Sequence, residues 1–121
     1  MISNYYHFRH LYQLRHSKKI IIGSSDTFQD GWKSTDFPEI DITSETQCGK
    51  YWKKGSKLAF FAEHVWEHLE EDDALKGARN CFNFLQNGGR VRIAVPDGNH
   101  PDPSYIEYVK PGGNGAGADD H

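Results

Sequence analysis

Cysteine is scarce: two in 121 residues, Cys48 and Cys81, far apart in the chain. Neither belongs to a Cys-x-x-Cys pair, so neither a zinc ribbon nor a disulfide framework is indicated. No apolar run approaches the roughly 20 residues of a membrane-spanning helix. Excess positive charge is also lacking. Fourteen Lys and Arg against 17 Asp and Glu leave a net charge of −3, which gives no electrostatic footprint for nucleic acid. The first 19 residues are aromatic and basic without an apolar core, so they do not read as a secretory signal. There is no G-x-G-x-x-G fingerprint, only Gly23-Ser24-Ser25, and there are no internal repeats. The composition, 36% hydrophobic and 26% charged, suits one globular domain. The expectation is a cytoplasmic protein whose partners are neither nucleic acid nor membrane.

What is present centres on residues 58–97. The apolar run Leu58-Ala59-Phe60-Phe61-Ala62 leads into Glu63-His64-Val65-Trp66-Glu67-His68-Leu69. An acidic cluster, an amphipathic stretch, the break Asn87-Gly88-Gly89 and a second apolar run to Val95 follow. This is the pattern of a βαβ unit. Such crossovers are right-handed, and ligands gather at the carboxyl ends of their strands. The polar residues there are Glu63, His64, Asp97 and His100.

In chain order, Tyr5, Phe8, Leu11, Tyr12 and Leu14 predict an amphipathic helix over residues 5–17. Lys19-Ile20-Ile21-Ile22-Gly23 reads as a strand buried on both faces. A second strand is expected over 33–37, with Asp36 at its carboxyl end, and a short third over 39–43. Residues 49–57 read as a loop, with Trp52 tucked onto the core. Residues 73–86 predict a helix whose buried face carries Leu75, Ala78, Phe82 and Leu85, with Gly88 as its left-handed stop. Glu70, Glu71, Asp72 and Asp73 crowd its amino end, where the helix dipole favours negative charge. In the run from Arg90 to Val95, Val91, Ile93 and Val95 alternate with Arg90, Arg92 and Ala94. The domain then divides into a helix at 1–18, a core at 19–97 and an irregular, glycine-rich tail at 98–121.

Three constellations could carry chemistry. A glycine ending one strand and an acidic residue ending the next, Gly23 and Asp36, suit a nucleoside: close backbone approach and acceptance of ribose hydroxyls. The connection between them, Ser24 to Trp32, is too short for a full crossover helix. Parallel strands would need a nearly extended crossover or a single helical turn. A hairpin would put Asp36 at the wrong end of the sheet. Second, His64-x-x-Glu67-His68 has the order of an inverted zinc-protease motif, but it starts directly at a strand end and lacks a third ligand on a later helix. Third, Asp97-Gly98-Asn99-His100-Pro101-Asp102 reads equally as an acid–base cluster and as turn chemistry.

The stretches from Phe61 to Leu69 and from Cys81 to Asp97 resemble the Rossmann-like S-adenosylmethionine-dependent methyltransferases. The likeness is to a branch in which EHVWEHL and LKPGG-x-LRVAVPDG recur. Residues 100–121 are similar to that branch's HPDP-x-YI-x-WV-x-PGG-x-GPGADDH, and Gly23-Ser24-Ser25 with Asp30-Gly31-Trp32-x-x-Thr35-Asp36 to its G-x-G…QDGW-x-x-TD. The resemblance implies an α/β fold: a mostly parallel sheet in a three-layer αβα arrangement. It also implies S-adenosylmethionine across the ends of the first, second and fourth strands. Gly23, Ser24 and Ser25 would lie against the methionine part, Asp36 on the ribose hydroxyls and Asp41-Ile42 near adenine. Ala62, Glu63 and His64 would line the methionine side. Asp97 or His100 is the candidate catalytic base, and no residues are assigned to a metal.

Three departures matter. Ser24-Ser25 replaces part of the glycine loop, and Asn87 stands where proline is usual. Family members also continue beyond Asp-Asp-His with more strand and helix. The resemblance therefore implies a reduced sheet without its last two strands and with an open edge at Arg90 to Val95. An open edge is a liability that dimerisation through it, or cover from the glycine-rich tail, would relieve. The functional expectation is methyl transfer to an acceptor that the sequence does not name: small molecule, carbohydrate and protein all stay open. The alternatives are a non-catalytic binding module that dimerises through the open edge, and a zinc hydrolase through His64, Glu67 and His68.

Overall fold

The computed structural model describes residues 2–115. In chain order it contains α1 (Ile2–His16), β1 (Lys19–Ile22), β2 (Lys33–Ser34), α2 (Glu45–Tyr51), β3 (Lys57–Glu63), a 3-10 turn (Trp66–His68), α3 (Glu71–Phe84), β4 (Leu85–Ala94) and α4 (Pro103–Val109). The four strands form one sheet in the order β2-β1-β3-β4, and every pair is parallel. The fold is thus α/β with an all-parallel sheet, as the βαβ pattern predicts.

Register explains the core. Ile20 pairs with Phe60 and Phe60 with Val91; Ile22 pairs with Ala62 and Ala62 with Ile93. Paired residues in a parallel ladder share a face, so these form one apolar surface. Its inner members join Ile40, Ile42, Cys48, Trp52, Cys81 and Phe84 in a single buried cluster. The helices α2 and α3 therefore pack on this face. The opposite face carries Ile21, Phe61 and Arg92, with the Arg92 guanidinium 5.7 Å from the Phe61 ring centre.

Several elements differ from the sequence reading. The second strand is two residues long and parallel to β1, so the hairpin alternative falls. Residues 39–43 are not a strand: Asp41 Oδ1 accepts hydrogen bonds from Thr43 N and Oγ1, folding the segment into a turn. Ile40 and Ile42 nonetheless point into the core, at 3% and 4% exposure. The expected loop at 49–57 begins inside α2, whose start is capped by Ser44 accepting from Gln47 N. Trp52 is buried against Phe60 and Phe84, as expected. On α3 the buried positions are Gly77, Asn80, Cys81 and Phe84, while Leu75 and Phe82 are exposed. The reason is close packing. A Cβ on Gly77 would stand 3.1 Å from Trp66 Cζ2, so the small residue sets the contact face. Gly88 has the expected positive φ, but it lies within β4, and Leu85 caps the helix.

The N-terminal helix forms, yet its aromatic stripe does not meet the core. Tyr5, Phe8 and Tyr12 are exposed, and Leu14 is the buried residue. Besides contacts of His10 with Glu39 and of Gln13 with Lys33, Lys57 anchors the end of this helix. Its ammonium is buried and donates to the carbonyls of Leu14, Arg15 and Ser17, satisfying groups the helix end leaves unpaired. The tail is not irregular throughout: α4 is capped by Asp102 accepting from Ser104 N. Residues 116–121 lie outside the described residues. No described helix is long and apolar enough to cross a membrane.

Candidate functional site

The chain leaves β1 to form β2 on one side, then returns to place β3 on the other. The carboxyl ends of β1 and β3 thus flank a topological switch point, where open α/β sheets hold ligands. A cavity of about 750 Å³ lies there.

Its first wall is built by a local zipper. Ile21 O accepts both Thr35 N at 2.9 Å and Thr35 Oγ1 at 2.7 Å, and Ser24 N donates to Thr35 O. This carries Asp36 across from the turn after β1. The Asp36 carboxylate accepts from Ser24 Oγ at 3.1 Å and from Ser25 N at 3.0 Å. Gly23 makes the turn possible. Its φ is +59°, and a Cβ there would lie 2.6 Å from Val65 Cγ2, so both backbone and neighbour demand glycine.

The second wall comes from the end of β3. His64 N donates to Ala94 O, extending the ladder by one residue before the chain turns. His64 then takes a positive φ of 56°, uncommon for any residue with a Cβ. Its Nδ1 is 3.0 Å from Glu67 Oε1, and its Nε2 is 3.9 Å from Glu63 Oε1.

Gly23, Ser24, Ser25, Asp36, Asp41, Ile42, Glu63 and His64 all line this cavity. Ala62 is fully buried and lies outside the lining, as part of the core cluster. Asp41 is engaged with Thr43, and the Ile42 carbonyl accepts from buried Asn80 Nδ2 at 2.7 Å.

Asp97 and His100 are not among the lining residues. Asp97 Oδ1 accepts from Asn99 N, and its backbone N–H donates to the Tyr105 hydroxyl. His100 Nδ1 accepts from Asp102 N, and the ring stacks 4.1 Å from Tyr105. Hydrogen bonding to Ser104 lowers the Asp102 carboxyl. The segment is turn and cap chemistry leading into α4.

Residues that the sequence reading did not assign to the site also line it, including Tyr108 of α4, His68 and Val65. Tyr108 lies in the tail read as irregular, where nothing in the sequence singled it out. His64 lies before the 3-10 turn and His68 is its last residue, so the two do not share an α-helical face and the arrangement required for zinc hydrolysis is not built. Among the described residues no three His, Cys, Asp or Glu side chains converge to hold a metal. Both cysteines are free and buried, and burial pushes each thiol up to about 12.

Among the described residues, the lining carries three carboxylates, Asp36, Asp41 and Glu63, and no lysine or arginine. Such a site attracts a cationic or hydroxyl-bearing ligand and opposes a phosphorylated one. No family model matches the chain, and no curated protein and no solved structure is significantly similar to it.

Proposed function

We propose that the cavity binds S-adenosylmethionine and that the protein transfers a methyl group to a small-molecule or carbohydrate acceptor. The observation that carries this reading is the lining: among the described residues, three carboxylates and no lysine or arginine, at a parallel-sheet switch point. A dinucleotide would set its phosphates among those carboxylates, whereas a sulfonium is a cation. In this reading the sheet corresponds to the first, second, fourth and fifth strands of a methyltransferase sheet in a three-layer αβα fold. The cavity volume, about 750 Å³, falls inside the range of about 300–1,000 Å³ typical of ligand sites.

The residues fit the group. Asp36 has lone pairs left after Ser24 and Ser25 to accept two ribose hydroxyls. The turn at Gly23 allows close backbone approach, Asp41 and Ile42 flank the base, and Glu63 and His64 border the methionine part. Bound there, the cofactor supplies an electrophilic methyl group. The chain's contribution is then largely to fix geometry and exclude water.

Titration calorimetry with S-adenosylmethionine, S-adenosylhomocysteine and NAD tests the reading. Saturable binding of the first two and none of the third is expected. Asp36→Ala should weaken binding at least about tenfold, the scale of a lost charged hydrogen bond. No heat at millimolar S-adenosylmethionine would sink it.

A second reading, a non-catalytic module that self-associates, is favoured by one observation. Ala94 O faces β3, accepting from His64 N, so in a pleated strand the polar backbone of Val91 and Ile93 faces outward. Both side chains are exposed at that edge, at 44% and 40%. Pairing two copies antiparallel about Ile93 sets Arg92 opposite Ala94, which avoids arginine facing arginine. Sedimentation should then show a dimer that Ile93→Lys dissociates; a wild-type monomer at high micromolar concentration would reject it.

A further inference from the structure

We infer that His64 is the proton acceptor of this cavity and that Glu67 is its positioning residue. The acceptor substrate is accordingly a hydroxyl or an N–H compound, whose proton must leave as it is methylated. The substrate half of this inference rests on the methyl-transfer reading; the histidine half does not.

His64 lines the cavity and is held there in a conformation that residues with a Cβ seldom adopt, φ +56°. Such departures persist where the surroundings over-determine them, and they cluster at functional sites. The surroundings here are the ladder bond from His64 N to Ala94 O on one side and the Glu67 contact on the other. An ionised carboxylate only accepts hydrogen bonds. With Glu67 as carboxylate, the 3.0 Å contact is a hydrogen bond that His64 Nδ1–H donates. In the neutral ring this leaves Nε2 bare, with a lone pair available. Among the described residues, the nearest carboxylate to Nε2 is Glu63 Oε1, 3.9 Å away and beyond hydrogen-bond reach.

Glu67 is costly for the fold to keep. Its side chain is 12% exposed, and its Oε2 is buried without a hydrogen-bond partner. Buried polar atoms are paired in the great majority of cases, and exceptions call for a reason. A carboxylate held to orient one imidazole supplies that reason, as in other acid–base pairs where the partner fixes tautomer and ring direction. His68 also lines the cavity, but its Nε2 stands 3.9 Å from Glu67 Oε1. Asp97 and His100, the bases expected from sequence, are spent on the turn before α4.

The transfer balances as follows. An acceptor oxygen or nitrogen lone pair forms the new bond to the methyl carbon of a sulfonium donor. The carbon–sulfur bond breaks toward sulfur, leaving a neutral thioether. The acceptor's proton passes to His64 Nε2, and the resulting imidazolium keeps its Nδ1–H on Glu67. Acceptors that carry no proton to lose, such as a thioether sulfur, would gain nothing from this pair.

Imidazole-detected ¹⁵N–¹H spectroscopy of the intact chain, with and without S-adenosylhomocysteine, tests this. The neutral His64 ring should carry its proton on Nδ1, and Glu67→Ala should abolish that preference. Should Glu67→Ala fail to fold, the wild-type spectrum decides alone. A wild-type Nε2–H ring would overturn the inference. If that result came with S-adenosylhomocysteine shifts at Gly23 and Ser25, methyl transfer would stand without this base. An Nδ1–H ring with no shifts at millimolar S-adenosylhomocysteine would keep the histidine role and reject the substrate class.

Discussion

Gly23→Ala separates two demands that the site makes on one residue. The first is backbone: φ is +59°, and the left-handed region costs a residue with a Cβ about 1–2 kcal/mol. The second is space. An added Cβ would meet Val65 Cγ2 at 2.6 Å, with Val65 Cβ and Cγ1 at 3.8 and 3.9 Å. The short contact forces overpacking, which costs about 1–3 kcal/mol. The single substitution should therefore lose about 2–5 kcal/mol, a large share of the 5–15 kcal/mol typical of a domain. Val65→Ala removes the clashing methyl at a price of about 1 kcal/mol for a half-buried side chain. In the double variant the overlap vanishes and the backbone term remains. The pair should thus be more stable than the sum of the singles by about 1–3 kcal/mol. Urea unfolding followed by tryptophan fluorescence reads all four proteins. Gly31→Ala is the control: φ is +81° with nothing within 4 Å of its added Cβ, so it should lose the backbone term alone and show no coupling to Val65. Additivity of Gly23→Ala and Val65→Ala within about 0.5 kcal/mol would refute the contact between the β1 turn and the β3 exit.

Burial draws the Lys57 ammonium from 10.5 down to about 8 and pushes the Cys48 and Cys81 thiols from 9.0 up to about 12. Unfolding takes up a proton at Lys57 between pH 8 and 10.5, so stability rises there; it releases two thiol protons above pH 9, so stability falls. From pH 8 to 9 the gain of about 1 kcal/mol at Lys57 is largely offset by about 0.7 kcal/mol lost at the two thiols, so the sum should climb only by about 0.3 kcal/mol and decline beyond. Lys57→Met should remove the climb in urea titrations, and a steady fall from pH 8 would contradict the burial of Lys57. Asn80→Ala leaves the Ile42 carbonyl without its 2.7 Å partner, and should cost about 1–3 kcal/mol. Hydrogen exchange should quicken most around residues 40–44, and a uniform change across the chain would refute the link.

The sheet was legible because its signals are strong and local. Ile20, Ile21 and Ile22 form a continuous β-branched run, and Phe60 to Ala62 a continuous apolar one; such unbroken runs are what a parallel strand buried on two faces requires. The short path from Ser24 to Trp32 correctly excluded a crossover helix. The helices were read by counting large apolar side chains, and there the reading slipped. α3 uses Gly77 against Trp66, a contact invisible to any hydrophobicity count, so its true face lies rotated from Leu75 and Phe82. α2 carried a usable sign, Ser44-Glu45-Thr46-Gln47, the order of a capping box. Here Gln47 instead donates to Pro38 O and accepts from Asp41 N, fastening the 38–41 turn beside the cavity. Lys57 reads as a surface lysine in sequence, because only the fold brings three helix-end carbonyls to it.

The site was legible as a set of strand ends but not as chemistry. Asp36 and Glu63 follow from where β2 and β3 stop. The role of Glu67 does not, since Glu67 and His64 lie three apart, a spacing equally suited to a helix face. What decides it is conformation. Among the described residues with a Cβ, the positive φ values fall at Ser25 and His64, and both line the cavity together with left-handed Gly23. Three such positions at one cavity mean that the strain is concentrated rather than scattered. It is borne by the most rigid parts nearby: the two hydrogen bonds that Thr35 N and Oγ1 donate to Ile21 O beside Ser25, and the β4 ladder behind His64. A turn that served only to connect strands would relax to an unstrained conformation at little cost. Persistence of both strained residues is therefore the physical ground for placing function here, ahead of the eye-catching histidine motif in which one of them sits.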